Sequence, residues 1–122
     1  MIRYVDSLNL YMKTYGQHGV HIAKVLTLVK FIQEGNKSLL PPIKVMEFSS
    51  SPDNFVICDG YSRATAHYLV NEPVLVEIIG KTNEQLTSKN RLEHILIDSP
   101  FNERREPTQL IDLIKEYFFR II

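Results

Sequence analysis

The sequence predicts an α/β (α+β) domain in which helices flank a small mixed sheet, with an extra helix at the C-terminal end. Three observations carry that prediction. The apolar run "PPIKVMEF", the turn formers "SSSPDN" and the run "FVIC" read as two strands joined in a hairpin. A further apolar run, "PVLVEII", follows a helical stretch, so strand and helix alternate. The closing "PTQLIDLIKEYFFRII" sets Leu110, Leu113, Ile114, Tyr117, Phe118 and Ile121 in one broad helical stripe. At 122 residues the chain has the size of one domain, 1–122. Its expected core spans about 20–80, and a helical extension covers about 83–122.

Each element has its own signal. Leu8, Tyr11, Met12 and Tyr15 recur at helical spacing, which predicts a short amphipathic helix from Val5, broken by Gly16 and Gly19. "VHIAKV" alternates Val20, Ile22 and Val25 loosely and reads as a first strand. "LTLVKFIQEG" groups Leu26, Val29, Phe31 and Ile32 on one helical face and stops at Gly35. Pro41 and Pro42 impose extended backbone ahead of a strand carrying Ile43, Val45 and Phe48. After the hairpin, Asp59-Gly60 opens a helix from about Tyr61 to Val70. Pro73 begins "PVLVEII", apolar at nearly every position, so burial on both faces is expected. "TNEQLTSKNRLEHIL" reads as partly helical, with Thr82 or Asn83 as its cap. "DSPFNERREP" reads as a charged, solvated loop containing Arg104 and Arg105. Pro107 suits the first turn of the last helix, which either packs across the sheet or makes a homodimer contact.

Composition narrows the function classes. Apolar residues make up 44% and charged residues 23%, the balance of a globular protein rather than a disordered one. Fourteen basic and fourteen acidic side chains cancel. A dedicated nucleic-acid binder shows a basic excess, so DNA is not favoured as the main partner. The single cysteine, Cys58, lies in an apolar run and reads as a small buried hydrophobe. No charged-then-apolar leader and no apolar run near the roughly 20 residues of a membrane helix is visible. A cytoplasmic setting without a membrane partner is therefore expected. One cysteine and four scattered histidines give no metal-ligand spacing, so no metal-binding residues are assigned.

The chemistry concentrates in "FVICDGYSRATAHYL", Phe55 to Leu69. A helix begins with unsatisfied backbone N–H groups and the positive end of its dipole. Gly60 removes the side chain that would hold a ligand away from those amides. Ser62 adds a hydroxyl, and Arg63 adds a planar cation suited to phosphate or carboxylate oxygens. Together they form an anion-binding device. An ordinary alternative stands beside it: Asp59 as an N-cap, with Arg63 paired to Asp59 or Glu77 on the surface.

The succession of "PPIKV", "FVICDGYSRATAHYL" and "PVLVEII" resembles the ParB/sulfiredoxin-like superfamily over roughly Val20 to Ile79. The resemblance implies a compact α/β domain binding a nucleotide where the glycine-containing turn opens the helix. It implies ATP or ADP with Mg2+ in the free-serine kinase branch, whose Asp-Gly-His-His-Arg motif matches at Asp59, Gly60 and Arg63. Tyr61 and Ser62 replace its two histidines, and Ile22 follows His21 where that branch carries a catalytic glutamate. Glu34 and Glu47 are the nearest acids. The partition ParB branch implies CTP, and its Gly-Glu-Arg-Arg turn matches at Gly60 and Arg63. In sulfiredoxins a catalytic cysteine precedes the arginine; Ser62 holds that position here, and a hydroxyl does not replace a thiolate.

The expected function is nucleotide binding with phosphoryl transfer to a small hydroxyl-bearing substrate, or NTP hydrolysis. The alternative is a non-catalytic regulatory or DNA-associated binding module. Asp59 and His21 are the catalytic candidates. Gly60, Tyr61, Ser62, Arg63 and His67 are the nucleotide-binding candidates, His67 because it follows Arg63 by one helical turn. The sequence assigns no role to His18 or His94.

Overall fold

The computed structural model describes residues 1–14, 20–98 and 104–105, a mixed α/β architecture built on two sheets. The chain opens with β1 (Ile2–Val5), and a short β2 (Leu10–Tyr11) follows. β3 (Val20–His21) leads directly into α1 (Ile22–Phe31). The hairpin of β4 (Ile43–Phe48) and β5 (Ser51–Asp59) comes next, then α2 (Tyr61–Leu69) and β6 (Val74–Thr82). β7 (Ile97–Asp98) and β8 (Arg104–Arg105) complete the described strands.

The larger sheet runs β1-β6-β4-β5-β2. β4 and β5 pair antiparallel, and α2 carries the chain from β5 to β6, which lies parallel to β4. β1 pairs antiparallel with β6, while β2 runs parallel to β5. α1 and α2 pack against each other over one face. The core between them and the sheet holds Val25, Val29, Ile43, Val45, Ile57 and Val76, all buried. A smaller cluster on the opposite face joins Tyr11, Phe48 and Val56 beneath Leu86. The second sheet, β3-β7-β8, lies at the start of α1.

Several sequence expectations need correction. The predicted helix from Val5 is instead β1, a tight turn at Ser7–Asn9 and β2. Asp6 caps that turn by accepting the Leu8 N–H at 2.9 Å. Leu10, Tyr11 and Met12 are buried in succession, which a helical stripe does not produce. The predicted strand "VHIAKV" ends at His21, because Val25, Val29 and Ile32 fall on one helical face and draw α1 forward to Ile22. α1 continues into a wider turn, Ile32–Asn36, and Gly35 at φ 88° stops it. β6 is buried on one face only: Val74 and Val76 face the core, whereas Ile79 is exposed. The predicted helix after Thr82 is absent among the described residues. Thr82 Oγ1 accepts the Glu84 N–H in a local turn, and short turns at Ser88–Asn90 and Leu92–His94 follow. Part of the predicted charged loop pairs as β7 and β8.

Gly16, Gly19, His18 and the predicted final helix, with its proposed dimer contact, lie outside the described residues. No described helix is long and apolar enough to cross a membrane.

α2 starts from a residue that only glycine tolerates. Gly60 has φ 104° and ψ 32°, and a Cβ there would lie 2.5 Å from Ile43 Cγ2. Gly35 shares the left-handed backbone but has nothing within 4 Å of that position. Gly35→Ala therefore costs about 1 kcal/mol of backbone strain. Gly60→Ala adds overpacking and costs about 2–4 kcal/mol. Urea denaturation of the two variants measures the difference; equal losses would contradict the close approach to Ile43.

Candidate functional site

At the junction of β5 and α2 a concavity of about 320 Å³ is lined by Lys24, Cys58, Asp59, Gly60, Tyr61, Ser62 and Arg63. Five of these are the residues singled out by the sequence between Asp59 and Arg63. Asp59 does not seal the helix start. The cap position is Gly60, no side chain caps α2, and the Asp59 carboxylate points outward with its side chain 74% exposed. The alternative reading of Asp59 as an N-cap is thereby excluded. The first intrahelical bond, Ala64 N–H to Gly60 O at 3.0 Å, leaves the earlier amides of the turn without intrahelical acceptors.

Arg63 is tied back to the chain. Its Nη1 donates to Pro41 O at 2.8 Å and Pro42 O at 3.2 Å, stitching α2 to the segment before β4. Nη2 remains on the side of Gly60 and Asp59, 3.9 Å from Asp59 Oδ2. At that separation, with Asp59 exposed, the pair contributes a fraction of a kcal/mol. Glu77, the other surface partner considered for Arg63, lies in β6 and makes no ion pair among the described residues.

Tyr61 lines the concavity, yet its hydroxyl serves the fold. It donates to Ile57 O at 3.1 Å and accepts the Lys13 N–H at 3.3 Å. Burial raises its phenol above the ordinary value of 10.0, and the Lys13 N–H opposes that rise. Ser62 is half-buried beside it. Cys58 is not the fully buried hydrophobe that its apolar run suggested; it is partly exposed on the concavity wall. It lies at the end of β5, where the register with β4 shifts between Ile57 and Asp59, just before the chain turns into α2.

Two candidates stand apart. His21 is exposed at the cap position of α1, in register with Asp98 of β7, and does not line the concavity. His67 is buried, with Nδ1 2.6 Å from Arg63 O. A carbonyl only accepts, so Nδ1 carries the proton. The spacing of four residues put His67 on the same strip of helix as Arg63, but that strip turns into the core at Ala64–His67. Of the acids weighed, Glu34 pairs with Lys30, and Glu47 accepts the Asp53 N–H at the far end of the hairpin.

Lys24 is the functional candidate that the sequence reading missed. Once α1 starts at Ile22, Lys24 falls in its first turn, exposed and facing the junction. Treating "VHIAKV" as a strand hid it. The described residues contain no group of three or more His, Cys, Asp or Glu able to hold a metal. A single carboxylate, Asp59, suits only a Mg2+ that arrives on a ligand's phosphates.

No protein-family model matches this chain, and no curated protein matches it either.

Buried His67 makes stability depend on pH. Desolvation lowers its pKa from 6.5, with the Arg63 carbonyl opposing that shift. As pH falls from about 6.5 to the folded value, the unfolded chain takes up the proton first, so stability present above that window is lost within it. His67→Asn, which keeps a nitrogen donor near Nδ1, is expected to flatten the profile. Urea denaturation at several pH values from neutral to mildly acidic measures this; parallel profiles for wild type and variant would exclude His67 as the source.

Proposed function

We propose that this chain binds a nucleotide through its phosphates at the start of α2, as a ParB/sulfiredoxin-like module. The observation that carries the reading is the concavity in which Lys24, Ser62 and Arg63 converge on an uncapped helix start. Backbone donors, a helix dipole and two cations suit an anion. The volume lies at the small end of the range for ligand pockets, which suits a phosphate and adjoining sugar with the base outside. ATP, ADP and CTP all present such a group.

Binding without turnover is the form that the geometry favours. Neither histidine candidate lines the concavity, and among the described residues no glutamate does. General-base activation of a hydroxyl needs an acceptor within hydrogen-bond reach of it. Among the described residues Asp59 is the one acidic side chain lining the concavity, and its exposure supports phosphotransfer as a second reading, with Asp59 acting on an acceptor hydroxyl. Phosphoryl transfer relies mainly on positioning and charge neutralisation, so the two readings share one site.

Lys24 gives a cleaner test than Arg63, whose removal would also strand the Pro41 and Pro42 carbonyls. Lys24→Glu is expected to weaken nucleotide binding about tenfold in calorimetry while changing stability by less than about 0.5 kcal/mol. Equal affinity in both proteins would remove the site from the reading. Phosphate release from ATP, or phosphoserine formed from ADP and free serine, would move the conclusion to the phosphotransferase.

A further inference from the structure

Two adjacent prolines precede β4, and the carbonyl oxygens of both accept from one nitrogen of Arg63. Nη1 donates to Pro41 O at 2.8 Å and to Pro42 O at 3.2 Å, which engages both of its N–H donors. A guanidinium is planar and rigid, so two acceptors on one nitrogen fix the orientation of the whole group. Nη2 is thereby held over Gly60, 3.1 Å from where a Cβ of that residue would lie. Asp59 Oδ2 is 3.9 Å from Nη2, too far for a hydrogen bond. Among the described residues Nη2 makes no hydrogen bond.

The carbonyls that hold Arg63 are themselves held. Each proline ring fixes its own φ, and Pro42 confines Pro41 to extended backbone. Leu40 before them is extended as well. Upstream, Lys37 ties the segment to Glu72 at 3.2 Å. Downstream, Ile43 is fully buried in β4, between β5 and β6. Any residue supplies a carbonyl; two prolines supply it in a direction that is set before Arg63 arrives.

We propose that Pro41 and Pro42 are positioning residues for the phosphate site, orienting the Arg63 guanidinium in the free protein so that Nη2 meets a phosphate oxygen without being ordered by it. The inference rests on the phosphate-binding reading of the β5–α2 junction and gives that site a preset arginine. A side chain ordered in advance loses less entropy on binding, an advantage of about three- to tenfold in affinity.

Guanidinium NMR of the free full chain tests the orientation without a ligand. Separate Nη1 and Nη2 signals from Arg63 are expected in wild type, and one averaged signal in the Pro41→Gly/Pro42→Gly variant. Averaging already in wild type, or separate signals that survive in the variant, would overturn the proposal. Calorimetry with ATP then completes a double-mutant cycle. The glycine pair should weaken binding about three- to tenfold when Arg63 is present and cause no further loss in an Arg63→Ala background. Fully additive losses, or a glycine pair that binds as wild type does, would overturn the proposal alone. A wild type that binds no ATP would overturn the phosphate reading and this proposal with it. If the double variant fails to fold, Pro41→Gly, at the exposed member of the pair, carries both measurements.

Discussion

The approach of Gly60 to Ile43 is the constraint on which the junction depends. At that point β5 gives way to α2 through a left-handed residue with no room for a Cβ. The turn drops α2 onto the sheet, where Ala64 and Ala66 are small enough to lie fully buried in the core. Arg63 then reaches back to the Pro41 and Pro42 carbonyls, and Tyr61 reaches the strand it has just left. Three local fastenings thus converge within four residues. They fix the start of α2, which lines the same concavity as Lys24 of α1.

This changes what the motif means. Gly60 first suggests clearance for a ligand, yet its missing Cβ would have pointed at Ile43 and crowded Arg63 rather than filled the concavity. Arg63 suggests a phosphate fork, yet one arm is spent on two carbonyls. Both residues are accounted for by the fold before any ligand is considered. The argument for an anion therefore rests on what the fold leaves over. That remainder is an uncapped helix start, the second guanidinium nitrogen, Ser62, and a lysine from another helix. Asp59 tempers the positive charge at the rim, where its exposure allows water to screen it.

The legible parts of the fold were those whose signals are local. The hairpin announced itself through turn formers between two apolar runs, and α2 through a glycine break followed by a helical period. The strands β1, β2, β3 and β7 are two to four residues long and exist because a neighbouring edge recruits them. Periodicity has nothing to act on in so short a segment. "VHIAKV" was misread because Val20, Ile22 and Val25 fit both periods loosely, and that error concealed Lys24. His67 failed for a related reason. Spacing from Arg63 identifies a strip of helix, but only packing decides which end of that strip faces solvent and which faces the core.

Residue-level amide shifts under titration test the central claim most directly. On adding ATP or inorganic phosphate to the isotope-labelled chain, the account predicts saturable shifts concentrated at the amides of Tyr61, Ser62 and Arg63, with a smaller response at Lys24. Shifts scattered over the surface, or a silent start to α2 beside responding residues elsewhere, would contradict it.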